Sequence, residues 1–250
     1  MTAPKNRLVI FSGPSCVGKS PLAKALALFH PTINASMQSL TLYNSRAARP
    51  GEIDGIDYQF RTREAIQELK NRKQFVIMEV RGDLQALDIK ELQENLSRGD
   101  VLFEGNPFIG KELITHPGLA RFKRLSIFMS PLSGEEIRSL KAVRPAPDLP
   151  ELVTDVMRRK LLRRTKKQKG KLSLPDLQDI ERRASSAYTE LKDAFLFEHV
   201  IPNHDGEDSD NWNAFYYPLG DARKALAAFV SLVNGERPSF AEKWEKDLLP

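Results

Sequence analysis

Cysteine is almost missing from this chain: one of its 250 residues, Cys16, is a cysteine. That excludes an internal disulfide and any cysteine-cluster metal site. Histidine is scarce too, and His30, His116, His199 and His204 show no metal-ligand pattern, so structural roles are expected for all four. No apolar run reaches the length of a membrane-spanning helix. The N-terminal Met1-Thr2-Ala3-Pro4-Lys5-Asn6-Arg7 leads into an apolar segment too short for a signal peptide. A cytoplasmic protein without membrane attachment is expected. Neither sign of charge dominates, with 38 Lys and Arg against 33 Asp and Glu. What remains, 41% hydrophobic and 28% charged residues, suits one large globular domain or a core with an appendage.

The charge is unevenly placed. Residues 158–171 carry nine basic side chains and no acid. Such a run attracts polyanions: nucleic acid, an acidic membrane or the phosphates of a nucleotide. A solvated helix face is the plainer alternative.

The first chemical signal lies near the N-terminus. Arg7-Leu8-Val9-Ile10-Phe11-Ser12 reads as a short strand. Gly13-Pro14-Ser15-Cys16-Val17-Gly18-Lys19-Ser20 follows and fits G-x-x-x-x-G-K-[ST] at every fixed position. The apolar helical stretch Leu22–Phe29 completes the strand–loop–helix context the motif requires. Gly13 and Gly18 let successive N–H groups point at phosphate oxygens, and the helix N-terminus adds its partial positive charge. Lys19 is placed to reach the β- and γ-phosphates and Ser20 to ligate Mg²⁺. A nucleoside triphosphate is therefore the expected ligand, with Gly13, Ser15, Cys16, Val17, Gly18, Lys19 and Ser20 forming its phosphate site. Cys16 has two open readings: a thiol activated by an electropositive loop, or a small residue that fits.

The G-x-x-x-x-G-K-[ST] loop alone does not separate kinases from GTPases, although the Asn-Lys-x-Asp segment of GTPases is absent. A second segment decides more. Ser45-Arg46-x-x-Arg49-Pro50-Gly51-Glu52-x-x-Gly55-x-Asp57-Tyr58-x-Phe60 presents two arginines and a tyrosine around turn residues, and guanidinium forks suit bidentate phosphate recognition. The two segments together resemble guanylate kinase. The resemblance continues through Thr62–Ile66 and Gln74-Phe75, through Val101-Leu102-Phe103-Glu104, through Leu125–Pro131, through Glu181–Leu191 and through Phe197–Asn203, in order.

What the resemblance implies is specific. The fold would be a three-layer α/β P-loop kinase core around a parallel sheet, drawn from residues 1–35, 101–131 and 183–235. Residues 36–100 would bind the acceptor nucleotide, 132–182 would form a basic lid, and 236–250 a tail packed on the core or on a partner. The reaction would carry the γ-phosphoryl of Mg·ATP to GMP or dGMP. Arg46, Arg49 and Tyr58 would hold the acceptor phosphate, and Glu79 would read the base. Ser20 and Glu104 would hold the metal, and Asn203 joins the ATP site. Arg164 and Arg183 would close from the lid as catalytic groups beside Lys19, with Lys160 and Arg163 as neighbouring registers.

Two positions depart from the family pattern. Leu42 stands where the family has a serine near guanine, and Gln85 where a phosphate-contacting tyrosine is expected. Buried polar groups tuned to one base discriminate strongly, so these changes leave room for another phosphorylated acceptor, such as a different nucleotide or a ribose bisphosphate. Two further readings belong to other classes. A non-catalytic interaction module is opposed by the intact Lys19 and Ser20. A nucleic-acid binder built on residues 158–171 predicts a steep salt dependence.

Overall fold

A computed structural model describes residues 6–49 and 51–249. Met1 to Lys5, Pro50 with its expected turn, and Pro250 lie outside the described residues. The apolar segment near the N-terminus is strand β1 (Arg7–Ser12), the centre of a five-stranded sheet. The order is β2 (Met37–Ser39), β7 (Asp100–Gly105), β1, β8 (Lys123–Ser130), β9 (His199–Pro202), and every pair is parallel. A second sheet holds β4 (Tyr58–Phe60), β3 (Leu42–Asn44), β6 (Asp83–Asp88) and β5 (Phe75–Val80), with only β3 and β4 parallel.

Parallel strands covered on both faces read as continuous apolar runs, and β1 does so for that reason. Leu8 and Ile10 point to one layer with Phe103, Ile109 and Phe128. Val9 and Phe11 point to the other with Leu22, Met129 and Phe229. That second layer is built by α1 (Lys19–Phe29) and α9 (Gly220–Asn234), where the Phe11 and Phe229 rings meet at 4.9 Å. The first is built by α4 (Ile89–Arg98), α5 (Pro107–Thr115), α7 (Leu149–Lys169) and α8 (Leu174–Lys192). The short helices α2 (Pro31–Ala35), α3 (Arg63–Glu68) and α6 (Gly134–Ala142) complete the order.

Strand β2 belongs to the large sheet, where Met37 pairs with Asp100. The expected acceptor segment from residue 36 therefore begins with a core strand, and the small sheet itself spans β3 to β6. Three residues were too few to show to which sheet the strand belongs. The basic segment is helical: Val153, Met157 and Leu161 recur every four residues and bury an apolar stripe against Ile180, Ala184 and Ala187 of α8. Its charges are largely answered within the chain. Arg158, Arg159, Lys160, Arg163, Lys167 and Lys169 each meet a carboxylate. The tail packs on the core: Trp244, Leu248 and Leu249 are buried in the first layer, and Val200 exchanges backbone hydrogen bonds with Glu242.

At the end of β9, His204 joins three elements. Its Nε2 lies 2.9 Å from Glu136 of α6, and its Nδ1 contacts Asp221 of α9. Asp221 also pairs with Lys224, and Glu242 lines the same depression. Burial pushes the His204 pKa down, but Asp221 and Glu136 together push it further up, and the net direction is upward. A raised pKa means that the protonated form favours the folded state. That stability is present below about pH 6.5 and is lost as pH rises through the raised value. Thermal melts from about pH 6 to about pH 9 are expected to fall for the native chain and to flatten for His204→Gln. Parallel profiles for the two proteins would refute the assignment.

Candidate functional site

The loop between β1 and α1 wraps the start of the helix. Gly18 has φ of 109°, a conformation that side chains rarely adopt, and a Cβ there would come to 2.4 Å from Asn203 Nδ2. Lys19 is buried, and its ammonium donates to the carbonyls of Gly13 at 2.7 Å and Pro14 at 2.8 Å. Burial pushes its pKa down, against the pull of Glu207 and Glu104. The Ser20 hydroxyl donates to Glu104 Oε1 at 3.1 Å. Burial also drives the Glu104 carboxyl upward, opposed by Lys19 and Ser20. Cys16 is buried, and burial drives its thiol strongly up, away from the reactive thiolate form.

Facing this loop across a cleft of about 520 Å³ stand the small sheet and the loop from Asn44 to Tyr58. Arg46 gives a bidentate pair to Glu52, at 2.6 and 2.7 Å, and its guanidinium lies 5.1 Å from the Tyr58 ring centre. Burial lowers the Arg46 pKa, but Glu52 overrides it. Glu52 also accepts the Arg49 amide at 2.7 Å, so one carboxylate shapes the turn that carries both arginines. Burial and the Arg46 charge lower the Arg49 pKa, and burial raises that of Tyr58. The phenol therefore stays a donor at neutral pH.

From the third side come α7 and α8. Arg164 lines the cleft, and its buried Nε has no hydrogen-bond partner. Arg183 Nε donates to Ser15 Oγ at 3.1 Å, and its Nη1 lies 3.4 Å from Asp179. Burial, with Arg164 and Arg49 close by, brings the Arg183 pKa down to about 9. Crowded, desolvated guanidinium groups of this kind are costly for the free protein and complementary to a polyanion. The register on α7 is now plain. Arg163 turns outward to Asp208, and Lys160 is held by the His204 carbonyl, so neither lines the cleft.

Not every expected residue arrives. Glu79 lies outside the cleft and pairs at 3.3 Å with Arg63 of α3. Alternation along β5 puts it on the face opposite Val80, which does line the cleft. Asn203 is fully buried and gives its amide to the carbonyls of Val17 and Asp205, both at 2.7 Å. It braces the loop from behind. Val17 is likewise packed into the core layer. Leu42 and Gln85 do line the cleft, beside Tyr58.

Sequence reasoning assigned no role to three residues of the site. Glu52 sat inside the quoted motif, three residues beyond Arg49. Arg81 donates through Nη1 to Ser15 Oγ at 2.9 Å and through Nε to the buried Glu190 at 2.8 Å. Glu207 accepts the Gly18 amide at 3.1 Å.

The family model described as "Guanylate kinase" matches residues 5–99. A guanylate kinase of Cereibacter sphaeroides is 36% identical over 160 residues, 63% of this chain and 72% of that protein. One from a Ruegeria species is 28% identical over 237 residues, covering 94% of this chain and 89% of that one. The crystal structure of guanylate kinase from Anaplasma phagocytophilum shares the fold, with a TM-score of 0.53 at 19% identity over 94% of this chain and 87% of its own. A match at 36% identity that spans nearly three-quarters of a named relative places this chain in the guanylate kinase family.

Proposed function

We propose that this cleft is where the chain transfers the γ-phosphoryl group of ATP to GMP, yielding ADP and GDP. One observation carries the reading. Two phosphate-binding sets, Lys19 with Ser20 and Arg46 with Arg49 and Tyr58, face each other across one cleft, and Arg164 and Arg183 reach into it from a third side. Phosphoryl transfer requires little covalent chemistry from a protein, so positioning and neutralisation of charge carry the rate.

Each side chain then has a task. The loop amides and Lys19 hold the donor phosphates. Arg46, Arg49 and Tyr58 fix the acceptor phosphate, with Glu52 holding Arg46 in place. Arg164 and Arg183 neutralise charge on the group in flight. Residues 42–88 form the acceptor part and the α7–α8 pair the lid. A hydroxyl and a carboxylate are hard oxygen donors, and Ser20 and Glu104 would hold Mg²⁺. Among the described residues no group of three or more His, Cys, Asp or Glu could hold a metal alone. When bound, the metal would offset charge on the phosphates.

The test is ADP release from Mg·ATP with and without GMP, beside AMP, CMP and UMP. Release that rises and saturates with GMP is the expected result. Release indifferent to GMP, or greater with another acceptor, would overturn the assignment of GMP.

A further inference from the structure

Glu207 places a carboxylate where an anion-binding loop otherwise meets phosphate. The Gly18 amide donates to its Oε2 at 3.1 Å, and Glu207 lines the same cleft as Lys19 and Ser20. Among the charges that act on Lys19, Glu207 has the largest influence. Nothing in the transfer reaction requires this residue.

The segment that delivers it is fastened on both sides. Gly206 lies so close to the Cys16 carbonyl that a Cβ would come to 2.2 Å from its oxygen. The Asp205 carbonyl accepts from Asn203 Nδ2 and from Trp212 Nε1, both at 2.7 Å. On the far side Arg163 pairs with Asp208 at 2.7 Å, and Lys160 holds the His204 carbonyl. The backbone is thus pinned against the loop, and the free variable is the Glu207 side chain.

We infer that Glu207 is an intramolecular competitor for the phosphate cradle and sets a threshold for the anions that enter it. The Gly18 amide has one hydrogen, so a nucleotide phosphate in the cradle takes the donor that Glu207 now uses. A tethered carboxylate acts at high effective concentration. Affinity for any ligand that needs the same amide falls by the fraction of time the seat is open, and by the same factor for each. A polyphosphate, which engages several amides and Lys19 together, passes such a threshold. Inorganic phosphate, with few contacts, does not.

The inference rests on the loop being the donor-phosphate site, and calorimetry without acceptor separates the two. Mg·ATP and inorganic pyrophosphate are titrated into the native chain, Glu207→Ala, Glu207→Gln and Lys19→Ala. Glu207→Ala is expected to bind both ligands about tenfold more tightly, by a common factor, with Glu207→Gln between it and the native chain. Unchanged or weaker binding in both Glu207 variants, with melting temperatures that show them folded, overturns the inference. If Lys19→Ala binds as well as the native chain, the donor-site reading fails instead. Should no protein bind either ligand, both fall.

Discussion

Lys19→Ala is expected to lower phosphoryl transfer by about 10³-fold or more while leaving the fold intact. The two halves of that expectation have separate causes. Lys19 supplies a full positive charge from a side chain that is itself buried, where it is worth far more than in bulk water. Its removal would deprive the transition state of one of its fixed cations. Stability follows a different rule. Burial holds the Lys19 pKa below its ordinary value, which means that the charged side chain disfavours the folded state. Deleting it lifts that burden and leaves only the Gly13 and Pro14 carbonyls, at the wall of a cleft that water reaches. A melting temperature within a few degrees of the native value, with turnover near background, is the expected pair. Preserved turnover would remove Lys19 from the site, and an unfolded variant would overturn the stability argument.

The parts of this site that were legible in the sequence are those whose geometry is local. Gly13 to Ser20 needs only a strand before it and a helix after it, and both were visible as apolar runs. Arg46, Arg49 and Tyr58 share one loop and one strand, so their convergence on the cleft is decided within fifteen residues. Glu79 was misplaced because strand parity decides which face a residue occupies, and the exposed side of β5 against α3 became apparent only once the Glu79–Leu84 register was known. Asn203 was expected in the ATP site, but its amide is taken up by the Val17 and Asp205 carbonyls, a packing outcome that no local pattern announces. Arg81 and Glu207 were out of reach for a plainer reason. Their partners lie 109 and 189 residues away, and neither position carries a motif. On α7 the apolar stripe orients the arginines: with Val153, Met157 and Leu161 buried, Arg164 lines the cleft and Arg163 faces solvent.

Arg81→Ala is expected to cost as much stability as truncating a fully buried aromatic side chain. Glu190 has no exposed surface, and its Oε1 accepts from Arg81 and from Ser186 while Oε2 has no partner. A buried pair of this kind contributes little net stability, because desolvation offsets attraction. Breaking it is another matter, since the remaining carboxylate is then stranded away from water. Arg81→Ala should cost about 3–5 kcal/mol, which for a chain of this length corresponds to a fall in Tm of roughly 6–20 °C. The double variant Arg81→Ala/Glu190→Gln should recover much of that loss, because a neutral amide is far cheaper to bury than a carboxylate. Single and double variants are compared by urea unfolding. If the double variant is less stable than Arg81→Ala alone, the stranded charge is not the cause. A single variant within about 1 kcal/mol of the native chain would show that water reaches Glu190. Arg81 also holds Ser15 in the loop between β1 and α1, so the same substitution is expected to loosen that loop. The ion pair thus ties the small sheet to α8 and to the loop, three elements that line the cleft.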